Sequence, residues 1–296
     1  MKIFSGVLLL MLLLSACGKH ERATVLTDDV NIRKHDFQIG DEWSLTPVNE
    51  SDLQNSIFKI YSADNSRQGV AFYIGKSNET FLFVTNAHII NQYTDLCNKN
   101  VSIKDSKNEN ILICDKFIHS LNKSDISIVS MKKAKTGNFD TSSLMKLKLS
   151  KKEAFNTFEK IQLASIDKQG IIIDKSEDCK FLSSIPMLKK DIDLINPIFG
   201  EFLSLPVGCD AAHGHSGSPI LNEARAIEAV LWTGKAPKVF YRSSEIKDFV
   251  LRSDQQVWTE FNLVTPSFII FTEIFESDHW FETAQEETII KDVLGY

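Results

Sequence analysis

Three short stretches of this sequence carry side chains that could together perform nucleophilic hydrolysis. The apolar run FLFVTNAHII ends in Thr85, Asn86, Ala87 and His88; Asp125 opens the alternating stretch in KSDISIV; Ser216 stands between Gly214 and Gly217 in GHSGSPI. A serine hydroxyl is a weak nucleophile at neutral pH. It needs a neutral imidazole to take its proton, and the imidazole needs an acceptor that fixes its tautomer. Ser216, His88 and Asp125 supply one of each. The turn around Ser216 is poor in bulk and rich in Gly and Ser, the composition of a backbone that approaches a ligand closely. Glycine at 214 lets its N–H point, with that of Ser216, at a single spot where the two stabilise an oxyanion. Loss of one such donor typically costs about 3–4 kcal/mol of barrier.

Two other chemistries fit less well. The nucleophile elbow G-x-S-x-G requires Gly two residues after the serine, where this chain has Ser218, and a histidine after the serine, where only His279 remains. A metal held by His213, His215 and His88 lacks an acidic or cysteine partner at a usual ligand spacing. The reading therefore calls for no metal and no cofactor.

The order His88, Asp125, Ser216 and the phrases VTNAH, SDISIV and GHSGSPI resemble the chymotrypsin-like serine proteases, especially their bacterial exported members, and GVAFYIG is similar to an early strand of that family. The likeness covers roughly residues 56–275. It implies two six-stranded antiparallel β-barrels with the site in the cleft between them, His88 and Asp125 from the first barrel (about 56–150) and Ser216 from the second (about 151–265). It also implies a protein or peptide substrate. Asp210, six residues before Ser216, matches the acid at the floor of the pocket that selects Lys or Arg, although Cys209 is displaced from the family's usual loop position and the register at Asp210 stays open. AVLWTGK resembles the strand that pairs with substrate backbone, with Trp232 and Thr233 beside the pocket and Leu231 where many relatives have serine. His215 stands where activatable members carry an aspartate, so no switch by internal cleavage is expected. The alternative to an enzyme is a protease-like binding or adaptor module that kept these residues and lost turnover.

The elements that must position these residues read as mainly β. About a dozen short runs, among them SIFKIYS, GVAFYIG, TFLFVTN, NILICDKFI, ISIVSMK, KIQLASI, GIIIDKS and AIEAVLW, are bounded by Gly, Asn, Asp and Ser, the pattern of a sandwich or barrel pair. Helical spacing shows in SSEIKDFVLRS, with Ile246, Phe249 and Val250, and in TPSFIIFTEIF, where Thr265 stands as an N-cap before Pro266. Residues 276–296 form a polar, acidic tail.

The chain opens with one lysine, an apolar run from Val7 to Leu14, and LSAC ending at Cys17. Such a run is too short to span a bilayer and has the layout of an export signal. LSAC resembles the lipobox of bacterial lipoproteins, which implies that residues 1–16 are removed and that Cys17 is acylated. Residues 17–55 then read as a tether with a short ordered arm, and the protein as exported and held at a membrane of the cell envelope. A net charge of −6, with 43% hydrophobic and 24% charged residues, fits a globular domain and argues against nucleic acid as a partner. Cys97, Cys114, Cys179 and Cys209 admit three pairings. The expectation for an exported chain is Cys97 with Cys114 and Cys179 with Cys209, with free buried thiols as the alternative. The lipid reading predicts that Cys17→Ser moves the protein from the membrane pellet to the soluble fraction and abolishes incorporation of radiolabelled palmitate.

Overall fold

The computed structural model describes Val25–Leu26, most of the chain from Leu45 to Glu276, Thr288 and Val293. Within the long span the larger stretches outside the description are residues 91–100, 105–109, 190–201, 236–240 and 243–250, and the shorter ones include 212–213. Two short strands come first, β1 (Val25–Leu26) and β2 (Leu45–Pro47), then helix α1 (Ser51–Gln54). Six strands follow: β3 (Ile57–Tyr61), β4 (Gln68–Ser77), β5 (Thr80–Asn86), β6 (Ser102–Lys104), β7 (Asn110–Ser120) and β8 (Ile126–Lys133), with the single-turn helix α2 (Ala87–Ile90) after β5. They close an antiparallel barrel in the order β3-β4-β5-β8-β7-β6, sealed where Ile60 pairs with Ile103.

The middle of β4, most of β5 and the first half of β8 are apolar on both faces, and both faces are buried. Along β4, Ala71 and Tyr73 fill the barrel with Phe83 of β5 and Val129 and Met131 of β8. The alternate positions Val70, Phe72 and Ile74, with Leu82, Val84, Ile126 and Ile128, face outward into a second cluster. Period-two alternation thus sorts one continuous apolar run into two cores.

The second unit comprises β9 (Gln162–Ile166), β10 (Ile171–Asp174), β11 (Met187–Lys189), β12 (Phe202–Val207), β13 (Pro219–Leu221) and β14 (Ile227–Lys235). Next come the short β15 (Tyr241–Arg242), paired with β1, and the hairpin of β16 (Leu251–Ser253) with β17 (Gln256–Trp258). The last strand, β18 (Phe261–Pro266), precedes helix α3 (Phe268–Glu276). Here the architecture departs in detail from a second six-stranded barrel: among the described residues it is an eight-stranded sheet, ordered β11-β12-β18-β14-β13-β9-β10-β2. The eighth strand comes from the segment read as a tether with a short ordered arm. Leu45 pairs with Asp174 and Pro47 with Ile172, and Pro47 is tolerated because β2 lies at the sheet edge. Strand β2 and helix α1 thus both precede residue 56.

The C-terminal helix begins later than its sequence signal indicated. Thr265 and Pro266 remain in β18, paired with Val230 and Ala229, so Thr265 is no N-cap. Ser267 makes the turn instead, its carbonyl accepting from Ile270 N at 3.0 Å and its hydroxyl donating to Ser150 O at 2.7 Å. Of the stretch read as helical near Ile246, residues 243–250 lie outside the described residues, and Leu251–Ser253 is strand, because it forms the hairpin with β17. Ile269, Ile270 and Phe271 of α3 close the outward cluster over the barrel strands, where Val293 of the tail also packs.

Cys179 and Cys209 form a disulfide across 30 residues, buried in a third cluster with Phe181, Leu205, Val207 and Ile220. Cys114 is also disulfide-bonded; Cys97 lies outside the described residues. Closing a loop of that length contributes roughly 3–4 kcal/mol in the chain-entropy account. The double substitution Cys179→Ala/Cys209→Ala is expected to lower the unfolding free energy by about that amount in urea denaturation, and reducing agent is expected to have no further effect at this bridge.

Candidate active site

Strand register brings His88 to Asp125. In the β5–β8 ladder Thr85 lies opposite Ser127 and Asn86 opposite Ile126, so the residue before Ile126 faces the start of α2. Asp125 is held there at three points of its backbone and carboxylate. Its carbonyl accepts from Asn86 Nδ2 at 2.8 Å and from Ala87 N at 3.1 Å, and Oδ1 accepts from the His88 backbone N–H at 2.9 Å. The remaining carboxylate oxygen, Oδ2, pairs with His88 Nδ1. Asp125 is buried, whereas the His88 side chain is 25% exposed. Engagement of Nδ1 fixes the tautomer and assigns proton acceptance to Nε2.

The serine turn is held on the other side. Gly217 N donates to Leu231 O at 2.8 Å, Leu231 N to Ser218 O at 2.9 Å and Ser218 N to His215 O at 3.0 Å, which fastens the turn to β14. Ser218 Oγ donates to Ser165 Oγ of β9 at 2.8 Å. Gly217 sits at φ +88°, and a methyl there would lie 2.0 Å from Val70 O and 3.1 Å from Thr85 Oγ1. Both the backbone angle and the space require glycine. Thr85 has its own reason to be Thr: its hydroxyl donates to Val70 O at 2.7 Å.

The start of β4 joins the two halves of the site. Arg67 Nη1 donates to His88 O at 2.6 Å, and Val70 N donates to Ser216 O at 2.7 Å. Between them Gly69 is so enclosed that a methyl would meet Ile89 Cδ1 at 2.0 Å and Ser216 O at 2.8 Å. Four residues of extended chain span about 10 Å, so the histidine helix and the serine turn border the same short length of strand. Gly214 lies at φ +94°, and the N–H groups of Gly214 and Ser216 have no acceptor among the described residues. The His88–Asp125 pair and the Ser216 turn thus flank residues 67–70 from two sides.

Of the other residues singled out in the sequence, Asp210 and Trp232 are buried. Asp210 is buried, not at the surface. Its backbone N–H donates to Asp174 Oδ2 at 2.6 Å, and Asn262 Nδ2 donates to the adjacent Cys209 O at 2.7 Å. Trp232 is buried too, its Nε1 donating to Ser204 Oγ at 3.0 Å, and it occupies the irregularity between Leu231 and Thr233 in the β14–β18 ladder. His213 lies outside the described residues. Asp174, Cys179 and Cys209 form a group of metal-ligand type, but the two cysteines are spent in a disulfide. Sequence reading passed over Asp174, whose carboxyl is raised above the usual carboxylate range by burial and partly brought back by the N–H groups of Asp210 and Ser176. An acid closing the apolar run GIIID was its signal.

No family model and no curated protein matches this chain. Several solved structures are similar to it. The active form of the protease Rv3671c from M. tuberculosis is 14% identical, with a TM-score of 0.47 over 75% of this chain and 80% of that one. The inactive form of the Rv3671c protease is 13% identical, with the same TM-score over 75% and 89%. Deg5 is 15% identical, with a TM-score of 0.45 over 74% and 87%.

His215, next to Ser216, is buried, and its pKa is pushed down to about 4, first by burial and then by the positive charge of Lys59, against a smaller upward pull from Asp167. The folded protein thus resists protonation that the unfolded chain accepts near pH 6.5. This contribution is intact above pH 6.5 and is lost progressively as pH falls to about 4, by at most about 3 kcal/mol. Urea unfolding across that window is expected to show a steeper loss of stability for the native chain than for His215→Gln.

Proposed function

We propose that this chain is a serine endopeptidase. The observation that carries the reading is the twofold grip of Asp125 on His88, at ring and backbone, beside a glycine-flanked serine turn that shares the start of β4 with it. Ser216 Oγ attacks the scissile carbonyl carbon as its proton passes to His88 Nε2. The carbonyl oxygen becomes an oxyanion received by the N–H groups of Gly214 and Ser216. Collapse breaks the C–N bond, and the imidazolium returns its proton to the leaving amine. Water, deprotonated by His88, then releases the acyl group from Ser216. Asp125 holds the imidazole throughout and balances the charge it gains. The chain's own groups carry every step without a cofactor.

In this reading an extended substrate pairs with β14 near Trp232 and Thr233, so affinity comes from main-chain hydrogen bonds and selectivity from the pocket behind them. Asp210 at the base of that pocket selects Lys or Arg. Export and a lipid on Cys17 place the activity at a membrane of the cell envelope.

A biotinylated fluorophosphonate tests the reaction. The folded protein is expected to be labelled, Ser216→Ala to lose all labelling, and His88→Ala to lose at least a thousandfold in labelling rate. Well-folded protein that takes no label is a binding module and not an enzyme. Peptide-library profiling completes the test: cleavage after Lys or Arg that disappears in Asp210→Ser assigns the pocket, and a preference for apolar residues removes Asp210 from it.

A further inference from the structure

One cation reaches the serine turn from the opposite unit. Lys59 is the sole charged residue of β3 (IFKIY). Its neighbours Phe58 and Ile60 fill the barrel, so alternation turns Lys59 outward, where it is half-buried. Its Nζ donates to the carbonyl oxygen of Gly214 at 3.3 Å, and a methyl on Gly214 would lie 3.5 Å from Nζ and 3.7 Å from Gln68 Nε2.

The value of that bond follows from what Gly214 is. Glycine has the widest backbone freedom of any residue, and a donor on it helps an oxyanion only if it is already aimed. The peptide joining Gly214 to His215 is a rigid plane; holding its oxygen fixes that plane, so the Gly214 amide, which belongs to the preceding peptide, is left to turn only through φ and ψ of Gly214. The two carbonyls that follow are held as well, His215 O by Ser218 N at 3.0 Å and Ser216 O by Val70 N at 2.7 Å. Three successive carbonyls are thus engaged, while the N–H groups of Gly214 and Ser216 stay without an acceptor among the described residues.

We infer that Lys59 is a positioning residue, which aims the Gly214 amide at the developing oxyanion by gripping the Gly214 carbonyl. The inference rests on the endopeptidase reading and deepens it: the barrel contributes to the oxyanion site as well as the histidine and aspartate. The atom that Lys59 grips, the Gly214 carbonyl oxygen, takes no part in the reaction. Its effect belongs to the transition state, where the oxygen carries charge, and not to substrate binding.

The test compares wild type, Lys59→Met and Lys59→Arg in the full chain, using the best peptide from library profiling and the matching peptide boronic acid, which forms a tetrahedral adduct on serine. Lys59→Met is expected to lose ten- to a hundredfold in kcat with KM unchanged within twofold, less than the loss of a whole donor. Its affinity for the boronic acid is expected to fall by the same factor, and Lys59→Arg to recover most of both. Wild-type kcat and boronate affinity in Lys59→Met, or a change confined to KM, overturns the assignment. Should Lys59→Met fail to fold, Lys59→Gln, too short to reach Gly214, carries the same comparison with the same expected direction. Wild-type protein that takes no fluorophosphonate label at Ser216 overturns the endopeptidase reading and this one together. Labelled wild type with an unaffected Lys59 variant overturns this one alone.

Discussion

The site depends on the register of β5 against β8. With Asn86 opposite Ile126, Asp125 falls beneath the first turn of α2 and meets the backbone and ring of His88 together. A slip of one residue along this ladder would turn every side chain of β5 to the other face. Phe83 would leave the barrel interior and Val84 would enter it, so the two buried faces hold the register far more firmly than the histidine–aspartate pair could hold itself. Packing thereby sets the pairing: buried residues of the barrel decide which carboxylate meets which imidazole.

A second constraint joins this pair to the serine turn. Val70 takes part in both halves, its N–H bonded to Ser216 O and its carbonyl accepting from Thr85 while facing Gly217. Two glycines, Gly69 and Gly217, permit that closeness. Each would drive a methyl into backbone or a packed side chain, so neither position accepts even alanine without displacement of the strand or the turn. Small residues here act through the space they leave, bringing two pieces of main chain within hydrogen-bonding range.

Much of this arrangement was legible in the sequence, for identifiable reasons. His88, Asp125 and Ser216 stood out because their neighbours are punctuated: an apolar run ends, a strand begins, a glycine turn opens. The six barrel strands were visible as short apolar runs between turn residues. Other features were hidden because they are long-range. Nothing local in Leu45–Pro47 announces that it will complete the edge of a sheet whose partner, Ile172–Asp174, lies more than a hundred residues on. Thr265 and Pro266 carry the local marks of a helix start, but pairing with β14 overrode them. Lys59 was visible as a lone cation in an apolar strand, yet only the docking of the two units reveals that it reaches Gly214.

The cluster that joins the two units is continuous, running from Phe72 and Leu82 of the barrel through Leu221 and Val230 of the sheet to Ile270 of the last helix. Halves welded by a shared interior have no hinge, since parting them would expose that interior to water. In the endopeptidase reading the pliancy then has to come from the substrate, which favours slack segments such as loops, frayed ends or unfolded chains over a tightly folded surface.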